Sequence, residues 1–250
     1  MAYETILYQA EGGIGRITMN RPEAMNALTP TMLTELKAAV LEAGKDKAAQ
    51  VIVLTGAGKA FCAGVDLKSL GDHTLEKGKV GDILDIPARE LINAIRSVPK
   101  VVIALVNGYC FTGAMEIMLG CDLVIASDNA KIGDTHAKWG LRPTWGMSAR
   151  LPRRVGFIKA KELSFTADAI TAQEAERIGL INLTCPPEKL EEALQTMAKK
   201  IMANSPQSIG AYKHLYNTNE GMTLEDGLEL EFGSEFEITD TEERLGGFKK

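Results

Sequence analysis

Three short runs constrain this chain more than anything else in it: "VIVLTG" at 51–56, "VVIALVNG" at 101–108 and "DLVIAS" at 122–127. Each is apolar at nearly every position rather than at alternate ones, which is the form of a strand buried on both faces. Such strands need helices over them, and the helix-like segment "ARELINAIRS" stands between the first two. Strand, helix and strand in that order imply right-handed crossovers around a mostly parallel sheet. The polar stretch at roughly 70–85 reads as a loop before that helix.

The flanking segments fit the same plan. "TILYQAEGGIGRITMN" reads as two strands across a Gly-Gly turn. "RPEAMNALTPTM" breaks that pattern with proline and a polar loop. In "TPTMLTELKAAVLEAGKD", Thr29 is the expected N-cap and Pro30 the first helical residue, with Met32, Leu33, Leu36, Ala39 and Val40 at helical spacing. Beyond residue 156 the chain turns mainly helical, through "KAKELSFTAD", "TAQEAERIG", "PPEKLEEALQTMAKKIMANS" and "SPQSIGAYKHLYN", and ends in an acidic amphipathic helix and tail. The expected architecture is an α/β core followed by an α-helical C-terminal third.

A chain of 250 residues can bury a core of that kind without disulfides or metals. A net charge of −5 with no Lys/Arg cluster speaks against nucleic acid, and no apolar run approaches the roughly 20 residues that span a membrane. Cys62, Cys110, Cys121 and Cys185 are far apart and form no C-x-x-C pair. With no secretory signal in "MAYETILYQAEGG", reduced thiols in a cytoplasmic setting are expected. No His/Cys/Asp cluster has metal-ligand spacing, so no metal is expected.

Two segments share a form that carries chemistry. "VIVLTGAGKAFCAGVDLKSL" and "VVIALVNGYCFTGAMEIML" each run from a buried strand through glycine into a helix start. Glycine permits tight turns and close ligand approach, and the first N–H groups of a helix lack intrahelical partners. Two such turns facing each other supply two donors to one oxygen, the construction of an oxyanion hole; alone, each is an ordinary strand-to-helix turn. Within the second segment Glu116 is the one acid in an apolar run until Asp122. An unpaired buried carboxylate is costly, so Glu116 needs a partner or a task. A capping box fits poorly, because the residue three before it is Gly113 and Thr112 is one position too early.

"AFCAGVDLKSL", "NGYCFTGAMEIMLGCDLVIASDNAKIG" and "LPRRVG" resemble the enoyl-CoA hydratase/isomerase (crotonase) superfamily, and "RPEAMNAL" and "TADAITAQEAERIGLIN" extend the likeness over nearly the whole chain. The resemblance implies a crotonase-like α/β fold, with repeated ββα units forming a spiral core over residues 1–195. It implies an α-helical trimerisation region over 196–250, and a homotrimer or dimer of trimers. It also implies an acyl-CoA substrate whose CoA arrives as part of the thioester, with no separate cofactor. By motif position the oxyanion hole would be the N–H groups of Val65 and Gly113. Ala24, Ala63, Asp66 and Leu67 would border CoA, and Lys68 is either a phosphate contact or a solvated lysine.

One position departs from the family pattern. Family hydratases carry two glutamates; Glu116 matches the first, while His136, in "IGDTHAKWGLRPTWG", stands where the second is expected. Histidine titrates near neutrality and serves as acid or base there. A Glu–His pair suits hydration of an enoyl thioester, retro-Claisen hydrolysis of a β-keto thioester, or double-bond isomerisation, with hydration favoured; a non-catalytic acyl-CoA-binding protein is the remaining alternative. The bland role for His136 is a histidine satisfied by Asp134. His73 and His214 have no comparable support. Trp139 and Trp145 either wall the acyl pocket or pack in the core. Arg142 either pairs with Asp134, the preferred reading, or meets a polar acyl group.

Overall fold

The computed structural model describes residues 3–70 and 75–247. His73 lies outside the described residues. β1 (Ile6–Glu11) and β2 (Gly13–Met19) form the antiparallel hairpin across Gly12. α1 (Pro30–Lys45) follows, with Thr29 Oγ1 accepting the Met32 N–H at 3.1 Å and Met32, Leu33, Leu36, Ala39, Val40 and Ala43 buried.

The chain then runs three times through one unit: a long strand, a short strand and a helix. The units are β3 (Ala49–Gly56), β4 (Ala60–Cys62) and α2 (Asp82–Ser97); β5 (Val101–Val106), β6 (Tyr109–Phe111) and α3 (Gly113–Gly120); and β7 (Leu123–Ser127), β8 (Lys131–Gly133) and α4 (Met147–Val155). α5 (Phe157–Thr166), β9 (Ile170–Thr171), α6 (Ala172–Arg177) and β10 (Leu183–Cys185) follow, and then α7 (Leu190–Met202), α8 (Pro206–Asn219), α9 (Leu224–Gly233) and α10 (Thr241–Leu245). The long strands form a sheet in the order β1-β2-β3-β5-β7-β10, and the short ones a second in the order β4-β6-β8-β9. Both sheets thus advance in step, one strand per unit, with β2 through β10 parallel in the first. That is a spiral of ββα units.

The apolar runs are explained by two cores. On β3, Ile52 and Leu54 face the core shared with α1, α2 and α3, whereas Val51 and Val53 face a second core built with Leu190, Leu194 and Ala198 of α7. α7 therefore covers the sheet while running across residues 195–196.

α2 begins six residues before the expected start, at Asp82, and carries Pro87 inside it. Proline removes one helical N–H donor and argues for a boundary. Leu84, Ala88, Leu91, Ile92 and Ile95 are all buried, so the stripe that packs on the core runs straight through the proline. Burial of that whole stripe offsets the lost bond.

Candidate active site

A cleft of about 650 Å³ opens where the three strand-to-helix turns converge. Val65, Gly113, Glu116 and His136 line it, as do Ala63, Leu67, Trp139 and Trp145. Ala24, Asp66 and Lys68 lie outside its lining. Asp66 pairs with Arg21 at 3.0 Å, and Lys68 is exposed. Asn26 holds the loop that carries Ala24: its amide donates to Ala57 O and Ala60 O, and its Oδ1 accepts the Arg21 N–H.

The first turn is anchored by a bridge between Leu28 and Val65. The bonds of that bridge run from Leu28 N–H to Gly64 O and from Asp66 N–H to Leu28 O, so they leave the Val65 N–H unused. Gly64 has φ +100°, and a Cβ there would stand 2.6 Å from Thr112 Oγ1 and 3.1 Å from Phe111 O. The first turn therefore abuts the second. Gly113 opens α3, whose first N–H groups have no intrahelical acceptor. A Cβ on Gly113 would stand 2.5 Å from the Trp145 ring, so only glycine lets the indole pack there. Cys62, beside the first turn, is no nucleophile: burial pushes its thiol up to about 12.

Glu116 is 1% exposed on the wholly buried α3. It makes no capping box. Its Oε1 accepts the N–H groups of Trp145 and Met147, both at 3.0 Å, and its Oε2 lies 3.6 Å from His136 Nε2. Burial raises the Glu116 carboxyl above the ordinary range, while His136 and the two N–H groups oppose that rise. A carboxyl raised in this way keeps its proton more readily than an exposed one.

His136 Nδ1 lies 2.6 Å from Asp134 Oδ1, and Asp134 Oδ2 accepts the Ser164 hydroxyl at 2.7 Å. Burial would raise Asp134, but the bonds from His136 and Ser164 outweigh it and hold this carboxyl below the ordinary range. An ionised Asp134 has no proton to give, so in neutral imidazole Nδ1 carries the hydrogen. Nε2 then presents its lone pair toward Glu116. Ser164, Asp134, His136 and Glu116 form one line that ends in the cleft.

The other sequence expectations divide. Trp145 both packs and walls the cleft: it is buried, and its Nε1–H donates to Asp85 Oδ1 at 2.7 Å. Trp139 stands 62% exposed at the rim, under Lys138. Arg142 does not pair with Asp134, whose two oxygens are taken by His136 and Ser164; it stays exposed, its backbone bonded to Gly78 O. His214 is exposed on α8, against Phe236. Sequence reasoning missed Ser164, Asp85 and the two N–H groups on Glu116. Only Gly146, set between Trp145 and Met147 with φ +116°, hinted at the last of these. Among the described residues no His/Cys/Asp/Glu group is arranged to hold a metal, and no helix is long and apolar enough to cross a membrane.

Known proteins are similar to this chain in sequence and fold. The family model described as enoyl-CoA hydratase/isomerase matches residues 9–249. A probable enoyl-CoA hydratase of Rhizobium meliloti (strain 1021) is 37% identical, with 99% of this chain and 96% of that protein aligned. A crotonyl-CoA hydratase of Syntrophomonas wolfei is 34% identical over 99% of this chain and 96% of its own length. The crystal structure of an enoyl-CoA hydratase from Bacillus anthracis superposes with a TM-score of 0.89 at 32% identity, covering 98% of this chain and 96% of that one.

Proposed function

Because the chain belongs to the enoyl-CoA hydratase/isomerase family, we propose that it adds water across the double bond of an enoyl-CoA thioester. The observation that carries this reading is the placement of Glu116 Oε2 and His136 Nε2, 3.6 Å apart, beside two strand-to-helix turns in one cleft. At that separation the two groups do not bond each other directly. One water in the cleft can reach both.

In the proposed reaction the thioester oxygen accepts the N–H groups of Val65 and Gly113. Water oxygen bonds to C3, the C2–C3 π electrons move toward the carbonyl, and the enolate charge collects on the held oxygen. Removal of one such donor typically raises a barrier by about 2.7–4 kcal/mol. One water proton passes to the Glu116–His136 pair, and the pair returns a proton to C2, giving a 3-hydroxyacyl-CoA. Glu116, fixed through Oε1, orients the water; His136, fixed through Asp134, exchanges the proton. The chemistry draws on no group beyond the chain, the thioester and water. Ala63 and Leu67 would border the pantetheine arm, and Trp139 and Trp145 the acyl group. Ala24, Asp66 and Lys68 would meet the CoA head beyond the cleft, with Lys68 on its phosphates.

Mass spectrometry of short, long, cyclic and β-keto thioesters after incubation with the protein tests this. Gain of one water on an enoyl-CoA, absent with Glu116→Gln, is the expected result. Gain only on a cyclic β-keto thioester, with its ring opened, would replace hydration by C–C hydrolysis.

We further propose a homotrimer or dimer of trimers built through residues 196–250, in the cytoplasm. Leu224, Leu228 and Phe232 are exposed on α9, with Phe232 at 92%, and such a face asks for a cover. The four cysteines are free thiols, which suits a reducing compartment. Sedimentation is expected to give a trimeric or hexameric mass, reduced by Phe232→Glu.

A further inference from the structure

Thr112 stands where the backbone calls for glycine. Its φ of 49° and ψ of −114° lie in a region that a β-branched residue occupies only under strain. The same backbone diverts its hydroxyl. Thr29, Thr171, Ser205 and Thr223 stand at helix N-caps and each accepts an N–H through its side chain. Thr112 stands at the N-cap of α3 and makes no such bond. Its Oγ1 lies instead against Gly64, in the space that a Cβ on that glycine would need. Gly64 precedes Val65 and Thr112 precedes Gly113, so the hydroxyl lies where the two turns abut, beside a residue next in sequence to each proposed N–H donor. Thr112 itself lines the cleft.

We propose that the Thr112 hydroxyl is a third donor to the thioester oxygen, a catalytic residue that joins the Val65 and Gly113 N–H groups as the enolate forms. The inference rests on the oxyanion-hole reading above. A strained residue persists only where its surroundings over-determine it, and here the strain takes the hydroxyl from a helix cap and turns it to the join of the two turns, where the proposed reaction places the growing negative charge. The bond strengthens as that charge develops, so its effect falls on turnover more than on binding.

The test uses butanoyl-CoA labelled with ¹³C at the thioester carbonyl, bound to the full chain and read by infrared difference spectroscopy, beside enoyl-CoA hydration and Tm. Wild type is expected to lower the carbonyl frequency and Thr112→Ser to keep that shift. Thr112→Val and Thr112→Gly are expected to lose part of it and to lose roughly 10²-fold in kcat. Thr112→Gly is also expected to raise Tm, because relief of strain and loss of the donor then move in opposite directions. Equal carbonyl frequencies in wild type, Thr112→Val and Thr112→Gly would overturn the third donor and leave hydration standing. A full shift in wild type with no hydration of any enoyl-CoA would overturn the hydratase reading and leave the third donor standing. No shift in wild type would overturn both.

Discussion

Glu116 and Asp122 are two carboxylates six residues apart in one segment, the first buried and the second half-buried, and desolvation raises both above the ordinary carboxyl range. They differ in how their surroundings complete them. Asp122 Oδ2 accepts the Val102 N–H and the Lys213 ammonium, both at 2.7 Å. Lys213 spends its other two donors on Ile95 O and Lys100 O, so a cation with three hydrogens meets three protein acceptors. The set is closed. Glu116 has two backbone N–H groups on one oxygen, while its other oxygen faces a histidine beyond bonding distance, at the edge of a cleft. Similar desolvation is answered in one place by a full cation and left in the other for a ligand to complete. On the proposed reading, that difference in completion separates a working acid from a structural one.

The largest effect expected from that comparison is on Glu116. Glu116→Gln keeps an oxygen for the Trp145 and Met147 N–H groups and loses the ionisable one, so turnover should fall by roughly 10²–10⁴-fold. Stability should not fall. A raised carboxyl pKa means that folding disfavours the ionised form, so this glutamate weakens the fold as pH rises from the ordinary carboxyl range through its own raised value. Gln removes that penalty, and the Tm of the variant minus that of wild type should grow across the same window and then level off. A flat difference would mean that folding does not disfavour the charge on Glu116, and its side of the contrast would collapse.

Lys213→Met should act in the opposite sense. Removing Lys213 strands a half-buried carboxylate, at a cost below the roughly 3–5 kcal/mol of a fully buried pair. Denaturant unfolding should show that loss, while turnover per folded molecule stays at the wild-type value. Asp122→Leu added to Lys213→Met should recover much of it, since an apolar pair in place of a buried ion pair is often neutral. A turnover loss as deep as that of Glu116→Gln would assign Asp122 to the chemistry.

Asp134→Asn comes next, because it tests whether His136 is held or merely near. Without an ionised acceptor at Nδ1 the tautomer is no longer fixed, and kcat should drop on the order of 10²-fold, the low end of what a positioned acid–base group supplies. The pH–rate profile should move with it. An unchanged profile would return His136 to a structural role.

How much of this was readable in the chain follows from distance along it. β3, β5 and β7 were legible because both their faces are buried in the two cores, and α1 because Thr29 and Pro30 mark its start. β4, β6 and β8 have three residues each and no period to read; their place depends on the sheet beside them. Glu116 and His136 were singled out through motif position, and the fold brings both to one cleft. The N–H groups that hold Glu116 lie 29 and 31 residues away, and Ser164 lies 30 residues from Asp134, so no local pattern announces them. Arg142 failed for the converse reason. Eight residues from Asp134, it was near in sequence, but His136 and Ser164 already fill that carboxylate.

Ser164→Ala is the smallest perturbation and the finest test of the line that ends at Glu116. Its hydroxyl sits on α5, away from the cleft, and touches the chemistry only through Asp134. Asp134 is held below the ordinary carboxyl range, so its ionised form contributes stability that is fully present above the ordinary pKa and is lost as pH falls through the lowered one. Without the Ser164 donor the lowered value moves back up. Acid unfolding should therefore begin at higher pH than in wild type, while stability at neutral pH drops by about 1.5–3 kcal/mol, the range for a bond to a charged group. The acidic limb of the pH–rate profile should shift upward with it, and the plateau above it should change only a few-fold, because His136 still bonds Asp134 through the other oxygen. Asp122 offers the control: Lys213→Met should leave that acidic limb in place. If both variants moved it alike, the line from Ser164 to Glu116 would be ordinary core packing, and the two carboxylates would differ only in what lies next to them.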